Sequence, residues 1–325
     1  MKKVTVLGGG TGTFIVLSGL KQYPLDLAAI VTMMDSGGST GRLRDQLGVL
    51  PPGDLRQCLV ALSDASDLWR ELFLYRFEKG DLKGHNFGNI FLSALEKVCK
   101  DYTEVIDTAS FVLKTSGKVI PVTYENTHMC VEYENGTIVK EEENIDENKE
   151  EDSRIIKAFL DPQVKVNPLA VERILESDVV IIGPGDIYTS IVPVLVTGKM
   201  KQAIMKSKAQ LIYIMNLMTK SGQTTNYSAY DHLRDITYYL GRQPDAVIIN
   251  NSDIPSEIAK WYESHGEHSV HNNLNTTNYT GNIVLADIIE KTKHEPRKGD
   301  ILLRSILRHN PQKLAHSIAK YIETR

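Results

Sequence analysis

The stretch VTVLGGGTGTFIVLSGL, residues 4–20, decides the fold. Its first four residues, three of them apolar, predict a buried strand, glycines follow, and the apolar spacing of residues 13–20 predicts a helix. A glycine turn between a strand and a helix presents free backbone N–H groups that favour a phosphate, although a tight connector is the alternative. The phosphate contacts predicted here are Gly9, Gly10, Thr11, Gly12 and Thr13.

Four further apolar runs predict strands that are buried on both faces. Segments of helical period separate them, which is typical of a parallel sheet covered by helices on both sides. The predicted fold class is therefore α/β, a doubly wound and mainly parallel Rossmann-like sheet. The strands predicted after the first are residues 27–34, 179–182, 211–215 and 246–250. The helices predicted between them are residues 86–100, 103–114, 168–176 and 193–207.

One region departs from this alternation. Between residues 118 and 166 the apolar residues recur with a period of two, which predicts a β-rich insertion with a hairpin turn at Asn135-Gly136. The acidic run 141–152 inside it is typical of a solvated loop and receives no function. Because neither a repeat nor a low-complexity linker occurs, residues 1–325 are predicted to form a single domain carrying this insertion.

Composition argues against several classes of function. The 325 residues include 37 Lys and Arg against 41 Asp and Glu, a net charge of −4, which supplies no broad cationic surface for a nucleic acid. Cys58, Cys99 and Cys130 are too widely spaced for a metal knuckle or a disulfide framework, and they indicate a reducing compartment. No segment resembles a signal peptide or a membrane span. We therefore predict a cytoplasmic protein that neither binds nucleic acid nor spans a membrane.

A second flexible loop, MDSGGSTGRLRD, occupies residues 34–45. Asp35 stands at a strand end, where a nicotinamide dehydrogenase would hold a ribose hydroxyl. The glycines, hydroxyls and arginines that follow favour a second anion contact instead, as a nucleotide diphosphate requires. Surface ion pairs are the alternative for the two arginines. The contacts predicted in this loop are Asp35, Ser36, Gly37, Ser39, Thr40, Arg42 and Arg44.

Asp54 follows the rigid turn Pro51-Pro52-Gly53 and allows two interpretations. As an N-cap it would begin a helix at Leu55. As a partner of Asp35 it would help to hold Mg²⁺ between phosphate oxygens. The spacing leaves both interpretations open.

Three more polar clusters follow a predicted strand or begin a predicted helix. They are GHNFGN from residue 84, GPGDIYTS from residue 183 and NLMTKSGQT from residue 216. Ligands of open parallel sheets bind where the carboxyl ends of the strands meet, so we predict that these clusters converge on one crevice. Caps and turns are the alternative for each residue taken singly. The contacts predicted in these clusters are Asn86, Asn89, Gly183, Gly185, Asp186, Tyr188, Asn216 and Thr219.

Together with PPGDLRQCL from residue 51 and LRHNPQKLA from residue 307, these motifs resemble the bacterial gluconeogenesis factor family, which is similar to the CofD-like 2-phospho-L-lactate transferases. The resemblance implies a cytoplasmic protein that binds UDP-sugars such as UDP-N-acetylglucosamine. It also implies a need for the protein in growth and cell morphogenesis on gluconeogenic carbon sources, without an assigned reaction. Carried over by motif, it implies metal-holding acids at Asp35 and Asp54 and nucleotide-sugar contacts at Tyr262 and Arg308.

Three functional hypotheses follow. The first is a regulatory protein that binds a nucleotide sugar, with Arg42 and Arg44 as counter-charges for the phosphates and Asn86, Asp186 and Tyr188 on sugar or base. The second is a Mg²⁺-dependent transferase of the 2-phospho-L-lactate transferase type, although the loop after the second strand departs from the acidic loop of those enzymes. The third is an NAD-dependent oxidoreductase. The sequence identifies no catalytic residue, and it leaves a protein partner and a homo-oligomer open.

Overall fold

The computed structural model describes residues 1–149, 151–294 and 305–324. In chain order its strands are β1 (Lys3–Gly8), β2 (Asp26–Val31), β3 (Lys118–Pro121), β4 (His128–Tyr133), β5 (Ile138–Lys140), β6 (Ile155–Asp161), β7 (Val179–Ile182), β8 (Gln210–Ile214), β9 (Ala246–Asn250) and β10 (Asn282–Ala286). Its helices are α1 (Gly10–Leu20), α2 (Gly38–Leu47), α3 (Gly53–Ala61), α4 (Asp67–Leu74), α5 (Phe87–Val98), α6 (Tyr102–Leu113), α7 (Glu142–Glu147), α8 (Pro168–Glu176), α9 (Val192–Leu195), α10 (Met200–Lys206), α11 (Ala229–Leu240), α12 (Ser256–Glu263) and α13 (Pro311–Glu323). A π-helical turn (Ile187–Ile191) precedes α9.

Seven strands form one parallel sheet in the order β10-β9-β8-β7-β1-β2-β3. The chain first moves outward from β1 to β3, then returns to β7 on the other side of β1 and moves outward to β10. This is the doubly wound order, and the predicted fold class is confirmed. Because the direction of winding reverses between β1 and β7, the loops that leave these two strands face each other at the carboxyl edge of the sheet.

The centre of the sheet is enclosed on both faces. Val4 of β1 pairs with Leu27 of β2 and with Val179 of β7, and Val4, Val6 and Leu7 are fully buried. Helix α1 returns along the sheet and packs against α3 and α13. Since both faces exclude water, the central strands are almost entirely apolar, and the buried Thr5 of β1 is hydrogen-bonded to Ser177.

The five predicted strands are present, but two strands of the main sheet do not follow from the sequence. The edge strand β10 lacks a strong apolar run, and β3 lies within the stretch predicted as the insertion. The predicted helix 193–207 is broken into α9 and α10. Gly198 between them has a φ of +48°, and a Cβ there would lie 2.6 Å from the backbone nitrogen of Val166, so the backbone turns at a position that only glycine fits well.

The insertion forms a three-stranded antiparallel sheet in the order β5-β4-β6. The hairpin between β4 and β5 turns at Asn135-Gly136, where Gly136 has a φ of +86°, and this predicted turn is confirmed. The insertion begins later than predicted, because β3 pairs in parallel with β2 of the main sheet. The prediction of a solvated loop for the acidic run is wrong, because helix α7 occupies part of it and the Ile145 side chain is fully buried.

A second, smaller apolar cluster lies beyond the carboxyl ends of β8 and β9. Its buried members come from α12 and from the segments near residues 289 and 306, and Leu217, Met218, Ile254 and Trp261 pack against it. The buried members are Ile258, Tyr262, Ile289, Ile306 and Leu307. Across the described part of the chain, none of the helices combines the length and the apolar character that crossing a bilayer would need.

Candidate functional site

The candidate site lies at the switch point between β1 and β7. The glycine loop leaves β1 into α1, and the turn Gly183-Pro184-Gly185 leaves β7. A Cβ on Gly12 would lie 1.9 Å from the carbonyl oxygen of Pro184, so the two loops touch because residue 12 is a glycine. The structure thus brings two of the predicted polar loops together at the point where doubly wound folds bind ligands.

Asp54 is bound to the glycine loop. Its Oδ1 accepts a hydrogen bond of 2.7 Å from the backbone N–H of Gly10, and a Cβ on Gly9 would lie 2.1 Å from its Oδ2. The N-cap of α3 is Pro52, so the interpretation of Asp54 as the cap of its own helix is wrong. One backbone donor at the start of α1 is therefore already paired with a carboxylate of the protein.

The threonines of the glycine loop differ in their availability. Thr13 is fully buried, and its hydroxyl donates to the carbonyl oxygen of Gly9 at 3.3 Å. Thr11 is half-buried at the start of α1. The Thr13 hydroxyl therefore stabilises the loop itself. The Thr11 hydroxyl, the other one predicted to contact phosphate, has no protein partner among the described contacts.

Asp35 lies beside the start of α3, close to Asp54. A Cβ on Gly53 would lie 2.3 Å from Asp35 Oδ2, while Asp35 Oδ1 accepts a hydrogen bond of 3.0 Å from the N–H of Gly37. Gly53 directly precedes Asp54 in the chain. Gly53 thus lies against the Asp35 carboxylate and is bonded to Asp54, so the two acids predicted to act together are neighbours in space.

A third carboxyl group reaches this point from the insertion. Glu142 Oε2, in α7, accepts a hydrogen bond of 3.1 Å from the N–H of Ser36, and the Ser36 hydroxyl accepts one of 3.0 Å from the N–H of Glu143. Burial raises the pKa of Glu142 well above its usual value, and the nearby Asp35 raises it further. A protonated Glu142 can share its proton with Asp35, which lowers the repulsion between the two groups.

A buried network of charged and polar groups lies on the β8 side of the crevice. Asp146 Oδ1 accepts hydrogen bonds from Gln223 Nε2 at 2.6 Å and from the Thr189 hydroxyl at 3.3 Å. Lys220 Nζ lies 3.5 Å from Asp186 Oδ2, and this carboxylate is the main cause of the raised pKa of Lys220. Burial raises the pKa of Asp146 to about 6. The cation and its acids come from helix α7 and from the loops after β7 and β8.

The loop after β2 is fixed by the start of α5. Asn89 Nδ2 donates to Ser39 Oγ at 3.4 Å and to Thr40 Oγ1 at 3.3 Å, and Asn89 Oδ1 accepts from Arg56 Nε at 2.7 Å. The side chain of Asn86 caps α5 by accepting from the N–H of Asn89. Ser39, Thr40, Asn86 and Asn89 are all buried, so these predicted contacts form a support for the loop.

Both arginines predicted as phosphate counter-charges have other partners. Arg44 is buried, and its Nη2 donates to Asn126 Oδ1 at 2.7 Å and to the carbonyl oxygen of Thr127 at 2.9 Å, which joins α2 to the insertion. Arg42 Nη2 donates to the carbonyl oxygen of Lys83 at 3.0 Å. The Arg44 guanidinium thus holds two parts of the chain together through Nη2, and its contact with a phosphate stays a prediction.

Tyr188, predicted to contact sugar or base, lies in the interior. Its side chain is 1% exposed, and its hydroxyl donates to Asp235 Oδ2 on α11 at 2.7 Å. Asn216 Nδ2 donates to the carbonyl oxygen of Gly185 at 2.9 Å, and Thr219 Oγ1 accepts from the N–H of His268 at 2.9 Å. These three residues position the loops after β7 and β8.

Tyr262 and Arg308 belong to the wall beyond β8 and β9. Tyr262 is buried in the smaller apolar cluster, and its hydroxyl accepts from the N–H of Leu307 at 3.2 Å. It thereby fixes the segment that carries Arg308. The neighbouring His309 ring is buried near the backbone of Met215, and burial lowers its pKa to about 4. Tyr262 therefore positions this segment, and its ring does not face open solvent.

Sequence reasoning misses Glu142, Asp146, Lys220 and Gln223. Glu142 and Asp146 are four positions apart, which sets them on one face of α7, but an acidic run offers no signal that distinguishes such a face from a solvated one. Within residues 1–149, 151–294 and 305–324, no three or more His, Cys, Asp or Glu side chains are arranged as a ready metal site.

Comparison with known proteins identifies the family of the chain. The family model described as 2-phospho-L-lactate transferase CofD matches residues 4–289. The chain belongs to this family. Among curated CofD-family relatives, the gluconeogenesis factor of Bacillus subtilis is 38% identical over 96% of this chain and 96% of its own length, and that of Listeria innocua is 42% identical over 79% of this chain and 80% of its own.

A crystal structure of a related protein also matches. It is a UPF0052-family protein from Bacillus halodurans, 34% identical, with a TM-score of 0.88 over 98% of this chain and 99% of that chain. The expected resemblance to gluconeogenesis factors and CofD-like proteins is therefore confirmed. The match also spans the insertion, so the small antiparallel sheet lies within the aligned length.

Proposed function

We propose that this CofD-family protein is a cytoplasmic regulatory protein that binds a nucleotide sugar, such as UDP-N-acetylglucosamine, in the crevice between β1 and β7. One observation carries the proposal: the start of α1 and the polar loops after β2, β7 and β8 meet at the topological switch point. The first N–H groups of α1 and the helix dipole favour the diphosphate there. The names of its relatives support a role in gluconeogenesis.

Because the crevice contains two acids, binding of a diphosphate there requires a cation. Asp35 and Asp54 lie where the diphosphate would approach the glycine loop, and Asp54 already accepts from the N–H of Gly10. A diphosphate and two carboxylates repel one another unless a cation lies between them. Hard carboxylate oxygens beside phosphate oxygens are the ligands that Mg²⁺ prefers, so the residues present fit this ion. Asp35 and Asp54 would hold it, and it would neutralise phosphate charge.

Calorimetric titration with UDP-N-acetylglucosamine, with Mg²⁺ and then with a chelator, tests the proposal. We expect binding with Mg²⁺ and at least about tenfold weaker binding for Asp54→Asn, because the ion would lose one of the two carboxylates that hold it. Asp81→Asn, in an exposed turn, is the matched control and keeps its affinity. The absence of heat at millimolar ligand with Mg²⁺ would exclude the proposed ligand.

A second function, a Mg²⁺-dependent transferase of the 2-phospho-L-lactate transferase type, is favoured by Asp35 and Asp54 beside the glycine loop and by the family model that the chain matches. These two carboxylates would hold the metal that neutralises a transferring phosphoryl group. Incubation with activated nucleotides and small acceptor acids, followed by mass spectrometry, distinguishes the two functions. Product formation that Asp35→Asn and Asp54→Asn abolish in folded protein supports the transferase, whereas binding without product supports the regulatory protein.

A nicotinamide oxidoreductase is the weakest candidate. It needs Asp35 to accept from ribose hydroxyls, but the Asp35 carboxylate lies against Gly53 and accepts from the N–H of Gly37.

In cells, the regulatory proposal predicts that loss of the protein impairs growth and normal cell shape on gluconeogenic carbon sources. Restored growth with the wild-type chain but not with Asp54→Asn would join the cellular role to the crevice.

A further inference from the structure

Lys220 and Asp186 form a loosely paired cation and anion in the crevice. Lys220 Nζ lies 3.5 Å from Asp186 Oδ2, whereas a direct hydrogen bond between an ammonium group and a carboxylate is about 2.8 Å long. The two side chains are 24% and 33% exposed. An ammonium group has three donors and a carboxylate has acceptor positions on both oxygens, so among the described contacts most of the hydrogen-bonding capacity of this pair is unused.

The pair lies beside the glycine loop. Asp186 directly follows the turn after β7, in which the carbonyl oxygen of Pro184 would lie 1.9 Å from a Cβ on Gly12. The loop after β8 is bonded to the same turn, since Asn216 Nδ2 donates to the carbonyl oxygen of Gly185 at 2.9 Å. The two acids proposed to hold Mg²⁺ come from the elements that follow β2. A ligand with its diphosphate at the start of α1 therefore has the metal on one side and this pair on the other.

The charge around Lys220 disfavours a phosphate at this position. Asp186 raises the pKa of Lys220 most, and Asp146 and Glu267 raise it further. One ammonium group thus faces three carboxyl groups. A phosphate placed here would be repelled by the carboxylates, whereas a neutral hydroxyl group can donate to them without repulsion.

The same network contains a buried acceptor without a donor. Gln223 is 2% exposed, and its Nε2 donates to Asp146 Oδ1 at 2.6 Å. Its Oε1 is also buried, but it has no hydrogen-bond partner in the part of the chain that the structure describes. Buried polar atoms are nearly always paired in folded proteins. An incoming hydroxyl or amide group would supply the donor that this network lacks.

We propose that Lys220 and Asp186 bind hydroxyl groups of the hexose of a nucleotide sugar, and that Lys220 distinguishes this ligand from the nucleotide alone. The inference rests on the proposed function, because the diphosphate at the start of α1 sets the hexose on the β7 side. A hydroxyl group both donates and accepts, so neighbouring hexose hydroxyls donate to Asp186 and accept from Lys220. Hydrogen bonds to charged groups are stronger than those between neutral groups, which favours specific recognition.

Calorimetric titration with UDP-N-acetylglucosamine and with UDP, both with Mg²⁺, tests the inference. The two ligands share the uridine and the diphosphate and differ in the hexose. We expect Lys220→Met and Asp186→Ala each to raise the dissociation constant for UDP-N-acetylglucosamine at least about tenfold, because a charged hydrogen-bond partner of the hexose is lost. Neither variant changes the dissociation constant for UDP.

Lys208→Met is the matched control. Lys208 is exposed and precedes β8, so it lies at the opposite edge of the sheet from Lys220, and its substitution changes neither dissociation constant. Circular dichroism shows whether each variant is folded. Asp186→Ala carries the test if Lys220→Met does not fold, since the Asp186 side chain is one-third exposed.

The titration with UDP separates the two ways of failing. A variant that weakens both ligands equally overturns the inference, because Lys220 or Asp186 would then contact the shared nucleotide. Variants that weaken neither ligand also overturn it, as does a wild-type chain that binds UDP alone, while the crevice would still be a nucleotide site. A wild-type chain that binds neither ligand overturns the proposed function and the inference together.

Discussion

Gly12→Ala tests the contact between the two loops on which the candidate site depends. The added Cβ would lie 1.9 Å from the carbonyl oxygen of Pro184, where an ordinary contact begins at 3.4 Å, so α1 and the loop after β7 must separate by about 1.5 Å. Overpacking of this kind costs about 1–3 kcal/mol, and the clash with rigid backbone sets the cost near the upper limit. Alanine returns about 1 kcal/mol through its higher helix propensity.

The expected net loss is therefore about 2 kcal/mol in the free energy of unfolding, measured by urea denaturation followed by circular dichroism. Ser18→Ala in the same helix adds no atom and changes stability by about 0.5 kcal/mol or less. Nucleotide-sugar affinity falls in Gly12→Ala as well, because the crevice widens. A Gly12→Ala protein with unchanged stability and affinity would show that the loops after β1 and β7 are not in contact.

Three further outcomes follow from burial and charge. Burial raises the pKa of Asp146 to about 6 in the folded chain. The protonated carboxyl group therefore contributes stability that is present below pH 4 and is lost as the pH rises towards 6. In urea denaturation, Asp146→Asn reduces this loss of unfolding free energy. Arg173→Met costs about 3 kcal/mol in the free energy of unfolding, because buried Arg173 is paired with Asp26, whereas Lys3→Ala, which breaks an exposed pair, costs much less. Burial raises the pKa of the Cys58 thiol well above its usual value, so a thiol reagent modifies Cys58 only after unfolding.

The fold could be predicted because hydrophobic periodicity reports burial directly. β1, β7 and β9 are enclosed on both faces, and their continuous apolar runs gave boundaries within one residue of those observed. β10 escaped prediction because an edge strand is only partly covered, and its side chains are half-buried or exposed. β3 was not predicted as part of the main sheet because its four residues directly precede a region with a period of two. That pattern does not reveal that β3 belongs to the main sheet and that the strands after it belong to the small one.

The site was predicted less well, because polar residue types do not reveal their partners. Arg44 and Tyr188 follow sequence that is rich in glycine and hydroxyls, as ligand contacts do, but in the folded chain Arg44 Nη2 donates to the carbonyl oxygen of Thr127 and the Tyr188 hydroxyl donates to Asp235 Oδ2. Those partners are 83 and 47 residues away. Only the tertiary fold sets such distant groups side by side, so spacing along the sequence could not distinguish a support from a contact.

Helix α7 shows how the insertion and the crevice depend on each other. Glu142 bonds to the loop after β2, Asp146 bonds to Thr189 after β7 and to Gln223 after β8, and Tyr133 of the small sheet donates to the carbonyl oxygen of Gly222. Helix α7 therefore contacts three loops that leave three different strands of the parallel sheet. Partial burial of its two acids raises their pKa values, which costs stability at neutral pH. Such a cost is typical of a functional site, where buried acids are kept for what they bind rather than for stability.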